Sequence, residues 1–337
     1  MCLGAGDITQ TAEELGERLR RLSKDGLEPR KESGGDARLI KRSHLLFGAV
    51  RGRVLLEEPL ARHTTLKIGG PAQVWIEPQD LEDLKQVLAL AGKESLPVTI
   101  FGFGSNLLVP DEGIRGVVVC LASSYFREIR PEEGGILARA GAPNALFIQY
   151  ALEQGFGGFE FLSGIPGNIG GSVAMNAGSH GESIDSLVRR VRVMSFNGEE
   201  RWLERSEVPF RYRSSGIREA VIVEALFSLP RIDRRKVREK LEEYREHRSK
   251  TQDLQHPSAG CMFKNPGIPG SSSGRLIEEA GLKGKRIGHA QISTKHGNFI
   301  VNCGGATAKD VLLLMEEARK AVKEKFDIEL ETEVKVL

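Results

Sequence analysis

The sequence predicts an α+β protein with two folded units behind a charged N-terminal extension, and three observations carry that prediction. Short strand-like runs alternate with helical ones between Val54 and about Leu229. An Asn197-Gly198 pair joins two apolar runs, 188–196 and 200–203, with the chemistry of a β-hairpin turn. Beyond a charged helical stretch at 231–250, a further unit carries its own amphipathic helix and closing strand. Mixed elements of this kind define the α+β class, with α/β as its neighbour.

The elements follow in order. Residues 1–50 read as an appendage: charge is dense between Thr11 and Arg42, Gly34-Gly35 interrupts it, and only Leu15, Leu19 and Leu22 could line a helix face. Residues 72–77 read as a strand and 81–91 as an amphipathic helix that begins near Asp80. Strands are expected at 98–103, 107–109, 116–121 and 136–140, a helix at 143–154, and a strand at 220–229 after the hairpin. The helix at 231–250 has sparse apolar positions at Ile232, Val237, Leu241 and Tyr244, as a solvated surface helix has. The last helix begins at a capping-box pair, Thr307 and Asp310, and stripes Val311, Leu314, Met315, Ala318 and Val322 along one face. Residues 328–336 alternate as a strand would. The resulting organisation is an extension at 1–50, a unit at 51–230 and a unit at 231–337.

Composition excludes several classes. Hydrophobic residues make up 40% and charged residues 28%, the balance of a soluble globular protein. A formal net charge of +2 gives no global field for nucleic acid, so an anionic ligand must be held by local groups. No apolar run reaches membrane-spanning length, and no apolar signal core opens the chain. The four cysteines, Cys2, Cys120, Cys261 and Cys303, are too scattered for a metal motif or a disulfide framework. No metal is expected, and a reducing, cytoplasmic setting is.

Two glycine blocks carry the ligand chemistry. In the first, a strand runs into Gly102-Phe103-Gly104-Ser105-Asn106. Backbone N–H groups can converge there without Cβ obstruction and form a nest for a pyrophosphate, with the Ser105 hydroxyl and Asn106 amide as further donors. A Rossmann fingerprint needs a third glycine at position 107 and a following helix; Leu107 stands there and a strand follows, so that reading fails. The second block is Ser163-Gly164-Ile165-Pro166-Gly167-Asn168-Ile169-Gly170-Gly171-Ser172-Val173-Ala174-Met175-Asn176-Ala177-Gly178. Its density of Gly, Ser and Asn exceeds what a turn needs and suits close approach of backbone to a flat ligand.

Together the blocks resemble the FAD-binding domain of the vanillyl-alcohol-oxidase-like flavoproteins. With Thr64-Thr65-Leu66-Lys67-Ile68-Gly69-Gly70-Pro71-Ala72, the chain from about Val54 onward resembles the UDP-N-acetylenolpyruvoylglucosamine reductase family. The resemblance implies a two-subdomain FAD unit of the vanillyl-alcohol-oxidase/PCMH type, divided near residue 121, plus a C-terminal α/β substrate domain. It implies FAD, tightly but non-covalently bound, on Gly102, Phe103, Gly104, Ser105, Asn106, Gly164, Ile165, Gly167, Gly170, Gly171, Ser172, Asn176, Ala177 and Gly178. NADPH is the implied reductant, using the same pocket as the substrate in turn. The implied reaction makes UDP-N-acetylmuramate from UDP-N-acetylglucosamine enolpyruvate for peptidoglycan synthesis, and a monomer without nucleic-acid or membrane partners is expected.

Reducing an enol ether conjugated to a carboxylate needs a hydride, which no side chain supplies, a cation or acid near the carboxylate, and a proton for the α-carbon. The family's Tyr-Arg-x-Ser motif maps onto Tyr212-Arg213-Ser214-Ser215 and places Arg213 against the substrate carboxylate, where a guanidinium fork fits. Arg211 is its nearest decoy. Cys261, in Ser258-Ala259-Gly260-Cys261-Met262-Phe263-Lys264-Asn265-Pro266, stands where many relatives carry the proton-donating serine; a thiol is intrinsically the stronger acid. Glu329, Glu331 and Glu333 alternate on the closing strand and should share a face, and the resemblance selects Glu333 to assist the enolic intermediate. For the UDP-sugar it points to Tyr212, Asn265 and His296, with Lys250 as a diphosphate partner. The short segment between Arg213 and Cys261 resembles the branch without a tyrosine-bearing lid. Two other readings stay open at this point: another flavin oxidase or dehydrogenase of the superfamily, and a flavin- or UDP-sugar-binding protein without turnover.

Overall fold

The computed structural model describes residues 46–337, so the expected Leu15, Leu19 and Leu22 helix face lies outside the described residues. Phe47, assigned above to the extension, is buried in the main core, and the folded unit therefore starts before residue 51.

The first sheet has the order β1 (Arg53–Pro59), β2 (Pro71–Glu77), β5 (Ile114–Cys120), β3 (Val98–Phe101). β2 and β3 run parallel on either side of β5, and helix α1 (Leu81–Lys93) makes the crossover between them. Asp80 starts that helix as expected, its carboxylate accepting the Asp83 N–H at 3.0 Å. The second sheet is antiparallel throughout, in the order β11 (Glu200–Glu204), β10 (Val188–Ser195), β12 (Ala220–Phe227), β7 (Gly135–Arg139), β6 (Ile129–Glu132). The Asn197-Gly198 turn closes β10 onto β11, with Gly198 at φ +87°. Helices α2 (Asn144–Glu153) and α3 (Ile169–Ala174) cover one face, and a single core runs from α1 through both sheets.

Helix α3 was not expected, because Gly170-Gly171 is a poor helix interior. Packing overrides propensity here. The Asn168 side chain accepts the Gly171 N–H at 3.0 Å, and a Cβ on Gly170 would lie 2.8 Å from the Ala140 Cβ. The glycine lets the helix close against the end of β7.

Helix α4 (Arg234–Thr251) buries only Val237 and Leu241, as a surface helix should. The third sheet, in the order β13 (Ser258–Cys261), β16 (Phe299–Asn302), β15 (Ala290–Ile292), β14 (Arg286–Ile287), is antiparallel. Helix α6 (Ala308–Phe326) lays its predicted stripe over that sheet after the predicted Thr307–Asp310 capping box; the short helix α5 (Ser273–Glu279) lies beside it. Leu66, Ile68 and Leu108 join this core from the first half of the chain. Full burial of each is worth about 1.5–3 kcal/mol, so the Thr64–Ile68 turn holds the halves together.

The expected strand at 328–336 is mostly not one. Its burial alternates as predicted, with Leu330, Val334 and Val336 inside. Its backbone changes partner midway: Lys264 N–H donates to Glu331 at 2.8 Å and Glu333 N–H to Met262 at 2.8 Å, whereas Lys335 N–H donates to Asn106 at 3.0 Å. Only β17 (Lys335–Val336) forms a ladder, parallel to β4 (Leu107–Leu108). Alternation reports which side chains are inside, not which chain supplies the hydrogen bonds.

Candidate active site

The first glycine block leaves β3 and turns over the backbone of His63 and Thr64. Gly104 has φ +70°, and a Cβ there would lie 2.1 Å from the His63 carbonyl oxygen, so glycine is required. Gly102 faces the Asn168 side chain, which brings the two blocks edge to edge. None of the backbone N–H groups of Gly102, Phe103, Gly104, Ser105 and Asn106 donates to an acceptor among the described residues. Gly104 is buried, and a buried amide without a partner is rare in a folded protein. This row of free donors fits the pyrophosphate of FAD, and the exposed Phe103 ring beside it is open to a ligand.

The second block divides by role. Gly170 packs on Ala140, and the Ser172 hydroxyl donates to Asn144 Oδ1 at 3.0 Å. The Asn176 amide donates to the Arg211 carbonyl at 3.1 Å, and its oxygen accepts the Asp185 N–H at 3.2 Å. The Ser172 and Asn176 side chains serve as internal brackets. The backbone N–H groups of Gly164, Gly167 and Asn168 have no acceptor among the described residues and stay available beside Ile165.

Those brackets position the cation. Arg211 and Ser214 close a tight turn through paired backbone hydrogen bonds, Ser215 N–H donates to Ala174, and Arg213 sits at the turn with φ +59°. Its Nη1 donates to the Gly178 carbonyl at 2.8 Å, and its Nε lies 2.8 Å from Glu333 Oε1. Gly178 thus acts through Arg213, while Ala177 N–H donates to the Ser172 carbonyl. Tyr212, 54% exposed, has its ring centroid 5.3 Å from the Arg213 guanidinium carbon.

Cys261 reaches the same place from β13. The strand is bulged between Ser258 and Cys261, and Gly260 takes φ +74°, which re-aims the side chain that follows. Burial pushes the thiol up to about 12; the negative charge of Glu333 adds to this, and Arg213 and the Asn298 amide oppose it. The acidity advantage expected of a thiol is thereby offset, and Cys261 is a protonated thiol at neutral pH.

Glu333 arrives through the partner switch described above. Its N–H donates to Met262, next to Cys261, and its carbonyl accepts the Asn106 side-chain N–H at 3.1 Å. Burial holds its carboxyl above the usual carboxylate range despite the opposing charges of Arg213 and Lys264. The three acids do not share an environment: Glu329 lies by Lys323 at 3.6 Å, Glu331 pairs with Lys264 at the surface, and only Glu333 enters the site.

The expected sugar-nucleotide residues divide too. Asn265 Oδ1 accepts the Ser273 N–H at 3.1 Å, and His296 packs against Gly274, so both meet the first turn of α5. Burial, then the charge of Lys283, lowers the His296 pKa. Its Nδ1 accepts the Asn298 N–H at 3.2 Å, which places the hydrogen of the neutral ring on Nε2. Lys250 is not brought in: it is exposed and pairs with Glu246 at 3.2 Å on the outer side of α4. Arg248, which the sequence did not single out, is the cation of that helix turned inward. It lies against Gly164, burial lowers its pKa, and its guanidinium has no ion pair among the described residues. In a run of arginines and lysines, only the helical phase relative to Val237 and Leu241 distinguishes it.

Comparison with known proteins identifies the family. A family of FAD binding domains matches residues 72–204, and the UDP-N-acetylenolpyruvoylglucosamine reductase C-terminal domain matches residues 252–337. UDP-N-acetylenolpyruvoylglucosamine reductase from Bacillus velezensis is 42% identical over 291 residues, 85% of this chain and 94% of that protein. The enzyme of that name from Caldanaerobacter subterraneus subsp. tengcongensis is 44% identical over 288 residues, 85% and 94% of the two chains. The crystal structure of UDP-N-acetylenolpyruvylglucosamine reductase from Thermus caldophilus superposes with a TM-score of 0.72 at 36% identity, covering 85% of this chain and 98% of that one. With that identity over nearly the whole of its relatives, the chain belongs to the UDP-N-acetylenolpyruvoylglucosamine reductase family.

Proposed function

We propose that the protein reduces UDP-N-acetylglucosamine enolpyruvate to UDP-N-acetylmuramate with FAD and NADPH, in peptidoglycan precursor synthesis. The observation that carries this reading is the meeting of Arg213, Glu333 and Cys261, from three distant parts of the chain, at a segment bonded to the first glycine block. The backbone amides of Gly102–Asn106 and of Gly164 and Gly167 would hold FAD, which when bound would supply the hydride chemistry. Arg213 receives the substrate carboxylate, and Glu333, whose pKa burial raises, is the acid beside the charge that builds there. Cys261 delivers its thiol proton to the α-carbon. Asn265, His296 and Tyr212 line the sugar-nucleotide side, and Arg248 rather than Lys250 is the cation positioned for a phosphate. The protein is read as a cytoplasmic monomer acting on a small molecule; no helix among the described residues is long and apolar enough to cross a membrane.

The test begins with flavin absorbance of the purified protein. NADPH oxidation is then followed with and without the enolpyruvyl substrate. Full-rate oxygen consumption without substrate, or a bleached flavin that the substrate cannot reoxidise, would sink this reading.

A further inference from the structure

The Thr64-Thr65-Leu66-Lys67-Ile68 segment belongs to the resemblance but has no role in the chemistry above. We propose that Thr65 is a positioning residue, whose hydroxyl registers the strand carrying Cys261 against the loop that holds the flavin. The proposal rests on the reductase reading for the order of its half-reactions.

Thr65 touches both sides of the site at once. Its backbone N–H donates to the Gly104 carbonyl at 3.0 Å, and its hydroxyl donates to the Ser258 carbonyl at 2.7 Å. Gly104 is also within 3.4 Å of that hydroxyl, but one hydrogen serves one strong acceptor, and the shorter contact prevails. Ser258 opens β13 and Cys261 closes it, with the Gly260 bulge between. A displacement at Ser258 is therefore carried three residues along to the thiol.

The base on which Thr65 stands is fixed. His63 hydrogen-bonds Glu58 at 2.8 Å and stacks on Trp75 at 4.2 Å. The buried Thr64 hydroxyl donates to the Ile68 carbonyl at 2.9 Å. Leu66 and Ile68 are inserted into the C-terminal core, and the Leu66 carbonyl accepts the Asn302 amide at 3.0 Å from β16, the neighbour of β13. Asn106, in the glycine loop that Thr65 bonds through Gly104, makes the equivalent connection to Glu333. Both the proton donor and the acid are thus indexed from the flavin loop by one polar side chain each. Proton transfer tolerates little misplacement, since a shift of about 1 Å can cost on the order of 100-fold in rate. Hydride transfer from NADPH into the flavin uses neither Cys261 nor its strand.

The test compares Thr65→Val with Thr65→Ser. Reoxidation of reduced flavin by the enolpyruvyl substrate is expected to slow about 10- to 100-fold in Thr65→Val, with flavin reduction by NADPH kept within about twofold, and Thr65→Ser is expected to restore the loss. A second readout needs no turnover: alkylation of Cys261 by iodoacetamide, measured against Cys303 by mass spectrometry in FAD-free and FAD-loaded protein, should accelerate several-fold in Thr65→Val alone. Thr65→Ala provides the same contrast should the valine variant not fold. Equal loss of both half-reactions, unchanged reoxidation, or unchanged Cys261 alkylation overturns the proposal. Failure of the wild-type flavin to be reoxidised by substrate overturns the reductase reading instead, and the alkylation contrast then decides the role of Thr65.

Discussion

Arg213 and Glu333 form an ion pair of 2.8 Å while the same guanidinium donates to the Gly178 carbonyl at 2.8 Å. The cation is held on two sides before any ligand arrives, which is preorganisation of the kind that lowers a barrier without reorganising during reaction. Arg213→Lys cannot make both contacts from one ammonium. Substrate-dependent flavin reoxidation is expected to fall about 100- to 1,000-fold, with flavin content and NADPH-dependent reduction retained. Stopped-flow measurement of the two half-reactions checks this.

Cys261→Ala should leave reduction by NADPH intact and slow reoxidation by substrate about 100- to 10,000-fold, the range for loss of a positioned acid. Cys261→Ser should keep substantial activity. Equal loss of both half-reactions in the alanine variant would falsify the proton-donor assignment.

Glu333 determines the pH dependence. Burial raises its pKa, so its protonated form persists above the usual carboxylate range and is lost as pH rises through the raised value. Reoxidation by substrate should therefore decline on that alkaline limb, and Glu333→Gln, which keeps a hydrogen-bond donor at every pH, should flatten it. Cys261, at about 12, contributes no limb near neutrality. The same sign applies to stability. The contribution of Glu333 is fully present below its unfolded pKa and is lost as pH rises through the folded one.

Gly104→Ala should abolish flavin retention. The added methyl would lie 2.1 Å from the His63 carbonyl oxygen, and φ +70° costs a non-glycine residue about 1–3 kcal/mol in addition. Absorbance of the purified variant and its thermal midpoint report both effects.

Arg248→Ala should weaken ligand binding about tenfold or more, whereas Lys250→Ala should change it less than twofold, as expected of an exposed lysine paired within its own helix. Titration calorimetry with FAD and with the UDP-sugar identifies which ligand Arg248 serves.

Much of this was readable in the residues, and the exceptions share a cause. Helix α1, the Asn197-Gly198 hairpin and the stripe of α6 follow from local chemistry, and each forms where the pattern places it. Arg213, Cys261 and Glu333 were identified by motif, and the structure brings them to one point. What local patterning missed depends on distant partners. Helix α3 exists because Ala140 accepts Gly170 closely. The 328–336 segment divides its hydrogen bonds between Met262 and Asn106. The bracing of Arg211 by Asn176 is not legible locally, because a Gly/Asn-rich stretch has the same composition whether it faces a cofactor or braces a turn. Arg248 and Lys250 differ only in which side of α4 they occupy.

The pairing of Asn106 with Glu333 also has a consequence for biosynthesis. The two are 227 residues apart. At a synthesis rate of about 5–20 residues per second, the flavin loop waits roughly 11 to 45 seconds for its partner to be made. Throughout that interval, β4 is without its partner strand and Asn106 without its acceptor. The β4 edge is thus closed only when residues 335–336 emerge, late in the life of the nascent chain.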